Sequence, residues 1–489
     1  MKRILALILT FAVMCPLAAS CQSSEPGDDT SAPDVTESSA ETTRETALSD
    51  DLDFGGETIT VLCREDEGNT SYINEIGSLE ITGDVINDAI YQRNRAVEQR
   101  LNVVINPINM NGYWDNRTEF LNRVRNSVSS GDNEYDIVVG YAAYISPLAT
   151  EGMLRNLSDA PHIDYDRPWW NSTIIDSGNV NGKSYFVAGD IGLSCLSSAF
   201  AIYFNKRLAD ELSIDDLYDL VRRGEWTKEK ADEYVKLAAA DLNGDGQMDY
   251  DNDRWGFVAN QASEYGAAFN LRLTSNQNGE PKLDFDMEKI SDALIWLNKF
   301  FYENEGAAPL NTSSTIWTIS LGMFEEGRSL FYSSHLGRII YLRGMQDDFG
   351  VLPLFKWDEN QTNYQSTTHD GLSLFSVPVT CEHFEATCAT MEALAEEGYY
   401  SVLPAFYDVA LQGKFTRDDE SVEMMDIIKN NITFTFEMIY ASNMNYMQNM
   451  INELVKNKNT NFASYCATYE KTWQASLDKL VNTLSELDH

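Results

Sequence analysis

Basic residues are scarce in this 489-residue sequence: 36 Lys and Arg stand against 76 Asp and Glu, a formal net charge of −40. Nucleic-acid binding relies on clustered cations that release counterions from phosphate, so a nucleic-acid partner is excluded. The acidic excess itself is ordinary for a solvated surface and is silent on substrate. After the first twenty residues there is no long apolar run, and no later segment resembles a membrane span. Cysteines are few and scattered. Setting aside Cys15 and Cys21 near the N-terminus, Cys63, Cys195, Cys381, Cys388 and Cys466 are odd in number and form no disulfide framework. Cys381 and Cys388 fall on one predicted helix, about 10 Å apart by helical rise, which leaves them as buried thiols. The histidines His162, His335, His369, His383 and His489 make no zinc-binding helical pair. A phosphate-cradling glycine loop and a nucleophile elbow are missing too. Ser366 to Asp370 holds Ser, His and Asp in a row, which is a polar turn rather than a triad, whose members meet by folding.

What is present begins at the N-terminus. Met1-Lys2-Arg3 is a positive start and Ile4 to Pro16 an apolar run too short for a permanent span, so residues 1–20 read as a signal peptide. The run closes on Leu17-Ala18-Ala19-Ser20-Cys21, which resembles a bacterial lipobox and implies acylation of Cys21. Ala18 stands where that motif usually carries a bulky residue; ordinary secretory cleavage, with Cys21 incidental, is the other reading. Residues 21–52 comprise the lipidated cysteine and a Ser, Thr, Pro, Asp and Glu-rich stretch that cannot bury enough apolar surface to offset ordering entropy. A disordered tether is expected there. The diacylglyceryl group implied by the lipobox supplies the two chains that stable anchoring requires. The expected location is the extracytoplasmic face of a bacterial cell membrane, lipid-anchored.

Beyond the tether, Glu57 to Cys63 is a β-branched strand run, Gly83 to Arg100 has apolar residues at helical spacing, and Leu101 to Ile105 is a second strand. A helix from Phe120 to Val128 and a short buried strand from Tyr135 to Gly140 follow. Such alternation predicts a mainly parallel sheet flanked by helices, with ligands beyond the carboxyl ends of its strands. Those ends carry Arg64, Glu65, Tyr141 and Tyr144. A second unit is expected from near Asp164, with helices at Thr227 to Ala240, Asp286 to Asn304 and Ile316 to Glu326. The C-terminal third is helix-rich, clearest at Phe384 to Glu397 and Asn449 to Leu487.

Several stretches, in this order and spacing, together resemble an extracellular solute-binding protein of an ATP-driven (ABC-type) importer, of the carbohydrate type. They are Tyr135 to Asp159, Ala201 to Leu212, Gly224 to Thr227, Met323 to Phe331, and Phe349 to Pro353 with Tyr364 and Val377-Pro378. The resemblance implies an α/β, two-lobed periplasmic-binding-protein-like fold of type II, each lobe a mainly parallel sheet flanked by helices, closing on ligand about a hinge. Residues 53–164 plus 335–397 would form the N-terminal lobe and 165–334 plus 398–489 the C-terminal lobe. Sugar recognition needs aromatic faces beside hydroxyl-binding polar groups. Tyr141, Tyr144, Trp169, Trp170 and Tyr185 near Asp190 fit that pattern, although adjacent tryptophans are equally a packing feature. Arg64, Glu65, Tyr332 and His335 complete the candidate set.

Asp241 to Asp249 (DLNGDGQMD) is the sharpest local signal and resembles a calcium loop. Asp241, Asn243, Asp245, Gln247 and Asp249 would be its ligands, with Gly246 at the sharp turn; Asn252 stands where a bidentate acid is usual, and an empty acidic turn is the alternative. The ion would be structural. The sequence therefore points to a monomeric, non-enzymatic lipoprotein that captures a carbohydrate or other polar solute and passes it to ABC permease subunits. A two-carboxylate glycan hydrolase and a surface sensor or scaffold of the same fold are the alternatives.

Overall fold

The computed structural model of the chain describes residues 44–65, 75–77, 79–310, 315–411 and 419–487. The expected signal peptide, Cys21 and the expected tether up to residue 43 lie outside them. Among the described residues ten strands are formed: β1 (Glu57–Glu65), β2 (Val103–Asn111), β3 (Ile137–Tyr141), β4 (Phe200–Asn205), β5 (Trp255–Ala259), β6 (Thr274–Gln277), β7 (Glu280–Leu283), β8 (Ser329–His335), β9 (Phe349–Leu352) and β10 (Ser373–Ser376). The principal helices are α1 (Val85–Leu101), α2 (Arg117–Ser130), α3 (Lys228–Ala238), α4 (Met287–Tyr302), α5 (Ile316–Glu325), α6 (Phe384–Glu397), α7 (Leu403–Leu411), α8 (Asp419–Asn430), α9 (Met450–Lys456) and α10 (Phe462–Glu486).

The first sheet has the order β10-β3-β1-β2, with β1 parallel to both neighbours and β10 antiparallel to β3. β1 and β2 run in register from Glu57 opposite Val103 to Glu65 opposite Asn111. β2 is thus longer than the predicted Leu101 to Ile105. Pro107 lies within it, which the edge position tolerates because no outer strand needs its amide. The second sheet has the order β5-β8-β4-β9. There the expectation of a mainly parallel sheet is corrected: β4 is antiparallel to both β8 and β9, and parallel pairing joins β5 to β8.

The sheets also correct the expected lobe boundaries. Trp169, Trp170, Val187 and Ile191 pack with Ile59, Val61 and Phe375 of the first sheet, so the first lobe continues past residue 164. Because β9 pairs with β4, residues 349–352 belong to the second sheet and not to the first lobe. Within the stretch expected as tether, Leu48 is buried against the first lobe and Thr46 donates to Glu396 at 2.7 Å. The expected helix from 449 to 487 is broken between α9 and α10, where Lys458 takes a left-handed conformation (φ 53°). Cys63, Cys195, Cys381, Cys388 and Cys466 are buried and free. No helix among the described residues is long and apolar enough to cross a membrane.

Candidate functional site

Two strips of chain join the sheets side by side. One enters β4 through the one-turn helix Ser194–Ser197, and the other enters β10 from Ser366. The amide of His369 donates to Ser198 at 2.7 Å, that of Phe200 to Thr367 at 2.9 Å, and that of Leu336 to Ala199 at 2.8 Å. The paired strips therefore bring the end of β8, the turn before β10 and, through Ala142 donating to Leu372 at 3.0 Å, the end of β3 to one place.

An aromatic and cationic cluster is built on that junction. From the first sheet, the Arg64 guanidinium lies 4.6 Å from the Tyr141 ring centre, is 3.3 Å from the Ser373 hydroxyl and donates to the Gly371 carbonyl. Tyr141 donates to Asp370 at 3.3 Å, and Tyr144 behind it donates to the Gly112 carbonyl at 2.6 Å. From the second sheet, His335 ends β8 with its Nδ1 3.2 Å from the Ser197 carbonyl. Its ring is 6.1 Å from both His369 and Trp317, while Trp317 meets His369 edge-on at 5.7 Å. Arg338 lies 5.3 Å from the Trp317 ring centre. Farther along, Trp114 meets Tyr446 at 5.8 Å and carries Arg117 at 4.4 Å.

Burial pushes the His335 imidazole well below its ordinary range, with Arg338 and His369 adding to the effect. His369 is lowered by burial too, opposed by Asp370 and helped by Arg338 and Arg64. Both rings are neutral at pH 7, suited to exchanging hydrogen bonds rather than carrying charge. Asp370 sits 3.3 Å from His369 Nδ1, and that same nitrogen also receives the Gly371 amide at 3.0 Å within the turn.

Of the sequence-predicted residues, Arg64, Tyr141, Tyr144 and His335 join this cluster, and Glu65 is exposed at the end of β1 beside it. The others stand elsewhere. Trp169 and Trp170 are buried in the first lobe and donate through both indole N–H groups to the Glu392 carboxylate, at 2.8 and 2.7 Å. Tyr185 is core, its hydroxyl pushed up to about 12 by burial. Asp190 pairs with Lys429 at 3.1 Å, at one side of a cavity of about 360 Å³ next to Trp170, and burial raises its carboxyl to about 6. Tyr332 is buried, stacked on Tyr203 at 5.8 Å. Trp114, Trp317, Arg338 and Tyr446 are not singled out from sequence, and His369 and Asp370 are read there only as part of a polar turn. A strand read through Pro107 would have placed Trp114 just past its carboxyl end; the others carry no local signal.

The Asp241 loop is exposed and organised by its own amides. Asp241 accepts from Gly244 and Gly246 at 2.7 and 2.8 Å, Asn243 from Asp245 at 2.9 Å, and Asp245 from Gln247 at 2.8 Å. Asp249 accepts from Asp251 and Asn252 at 2.8 and 2.7 Å. Asp253, buried, closes the loop by accepting from Leu242 and Asp249 at 2.9 and 2.8 Å. Among the described residues no three His, Cys, Asp or Glu side chains are gathered around a metal-sized gap.

The sequence profile of a family described as bacterial extracellular solute-binding protein matches residues 108–423. No curated protein matches the chain. Solved structures share its fold. A cyclo/maltodextrin-binding protein complexed with maltotetraose is 12% identical, with a TM-score of 0.54 over 88% of this chain and 97% of its own. The maltose-binding periplasmic protein MalE from Listeria monocytogenes, complexed with maltose, is 14% identical, with a TM-score of 0.53 over 88% and 97%. UspC of M. tuberculosis is 14% identical, with a TM-score of 0.51 over 86% and 100%. At these identities the likeness concerns the two-lobed α/β fold.

Proposed function

Because the chain belongs to the family of bacterial extracellular solute-binding proteins, we propose that it captures an oligosaccharide between its lobes and delivers it to an ABC-type permease. The observation that carries this reading is the cluster of Tyr141, Trp317, His335 and His369 at the paired strips joining the two sheets. Rings bind the C–H faces of sugars, and neutral imidazoles with Asp370 serve their hydroxyls. Structures of the same fold solved with maltotetraose and maltose support the ligand class. The family consists of binding proteins, which sets aside the glycan-hydrolase alternative. A calorimetric panel of oligosaccharides tests the reading: binding is expected, accompanied by compaction in solution scattering, and Trp317→Ala should weaken it about tenfold or more. A panel with no binding and no compaction would overturn it.

Anchoring through Cys21 is part of the proposal, supported by the lipobox resemblance. Mass analysis of the mature N-terminus should find a diacylglyceryl cysteine in the natural chain and not in Cys21→Ser. A free N-terminus at Cys21 or elsewhere would sink this part alone. Calcium in the Asp241 loop is likewise proposed, as a structural ion. Each carboxylate oxygen that accepts one amide keeps a second lone-pair direction for a cation, and Asp253 supplies the acid that Asn252 lacks. Calcium should raise the melting midpoint and a chelator lower it; equal midpoints count against the ion.

A further inference from the structure

Lys429 stands near the carboxyl end of α8, a helix fixed to the second sheet at its other end. There the Ser421 hydroxyl accepts the Val351 amide of β9 at 3.1 Å and lies 3.0 Å from the Tyr218 hydroxyl, while Arg222 holds Glu420 and Glu423 at 2.9 and 2.7 Å. Eight residues, about 12 Å of helix, separate Ser421 from Lys429. The ammonium ends among groups of the first lobe. It meets the Asp190 carboxylate at 3.1 Å, the Pro168 carbonyl at 3.5 Å and the Tyr399 ring, whose centre is 5.2 Å away.

That socket moves as one body with the first lobe. The Asp190 amide donates to the Trp169 carbonyl at 2.8 Å, and Trp169 is tied through its indole to Glu392. Gly398, beside Tyr399, packs so closely on the Asp190 carbonyl that there is no room for a Cβ. Just past Asp190, Arg93 donates to the Ile191 carbonyl at 3.0 Å and the Glu75 carboxylate accepts the Ser194 amide at 3.2 Å. The strip that leads to β4 is therefore held by the first lobe as far as Ser194 and is left to bend only beyond it. Burial pushes the Asp190 carboxyl up to about 6 against the pull of Lys429, and it works against the Lys429 charge too, yet Asp190 keeps the lysine above its ordinary value. Both groups are charged at pH 7. Withdrawing one from the other strands two charges in a poorly solvated place, which is costly. The neighbouring cavity of about 360 Å³ gives the ammonium room to withdraw, which makes the pair a latch and not a weld.

We infer that Lys429 and Asp190 latch the two lobes together at the angle seen here, the one that assembles the aromatic cluster and the contact of Trp114 with Tyr446. Paired strips allow a rotation but set no angle; contacts between the bodies on either side do. The latch concerns the lobes themselves, whatever the cleft binds.

It is tested without ligand, in the mature chain carrying Cys21→Ser and spin labels on Glu119→Cys of α2 and Lys299→Cys of α4, exposed positions in the first and second lobes. The five remaining cysteines are buried and escape labelling. Pulsed dipolar spectroscopy should give one narrow distance between the labels in this parent. Lys429→Met and Asp190→Asn should each shift and broaden it, and the double variant should match the single ones, since all three lose the same pair. The double variant strands no charge, so it decides the matter even where Lys429→Met folds poorly. Arg100→Gln breaks an ion pair with Glu396 inside the first lobe and should leave the distance as it is. An unchanged or narrower distribution in the double variant would overturn the latch, and so would equal broadening by Arg100→Gln.

Discussion

Glu392 illustrates how one side chain decides what two others are for. Its carboxylate receives both indole N–H groups of Trp169 and Trp170 and the Asp164 amide at 3.2 Å, so the tryptophans are fixed as a wall of the first lobe rather than offered to a ligand. Burial nevertheless pushes the Glu392 carboxyl up to about 7, outweighing the hydrogen bonds that favour its charge. A carboxyl raised in the folded state binds its proton more tightly there than in the unfolded chain. Its contribution to stability is full below the unfolded value and falls away as pH rises through about 7. Glu392→Gln, neutral throughout, removes that dependence. The variant should start less stable at pH 5, where its amide N–H₂ opposes one indole donor at a cost of about 1–3 kcal/mol. It should then regain ground against the parent up to pH 8, by at most about 3 kcal/mol. Thermal melts at the two pH values check this, and a constant gap between the proteins would contradict it.

At the scale of elements, what was legible was whatever local pattern determines. β1, α1, α2, β3, α3, α4, α5 and α6 stand within a few residues of their predicted places, because the β-branched run at Glu57 and the helical spacing from Gly83 are short-range signals. The parts that were not legible depend on partners far along the chain. β4 is antiparallel to β8 and β9, more than a hundred residues later, and no feature of the sequence Phe200 to Asn205 states that direction. Half of the candidate site was hidden for the same reason: Trp317 and His369 meet only because the strips at Ser198 and Thr367 pair. Composition alone does not reveal that Leu48, within the stretch expected as tether, has a pocket. This has a measurable consequence. Leu48 is buried in the first-lobe core, and Thr46 joins Arg100 at 2.6 Å and Glu396 at 2.7 Å. Removing residues up to 45 should leave the melting midpoint unchanged, while removing those up to 52 should cost about 2–5 kcal/mol, as deletion of a buried leucine does. Equal midpoints would return residues 46–52 to the tether.

For the molecule as a whole, the proposed function depends on closure, and the contact of Trp114 with Tyr446 is where closure is most exposed to test. Trp114 follows β2 of the first sheet, whereas Tyr446 leads into α9 and α10, which pack on α4 beside the second. Asn445 and Tyr446 both take left-handed backbone conformations, at φ 53° and 54°. For a tyrosine this costs about 1 kcal/mol or more, a strain that persists only where the surroundings fix it. Ring and backbone make different predictions. Tyr446→Ala keeps the strain and loses the ring; Tyr446→Gly loses the ring and relaxes the strain, and should be the more stable of the two by about 1 kcal/mol. If the ring holds the lobes together around ligand, both variants should release ligand faster and compact less in scattering, by equal amounts, despite their different melting midpoints. If instead affinity follows stability, with glycine behaving unlike alanine, then the strained backbone, and not the aromatic contact across the cleft, is what closure draws on.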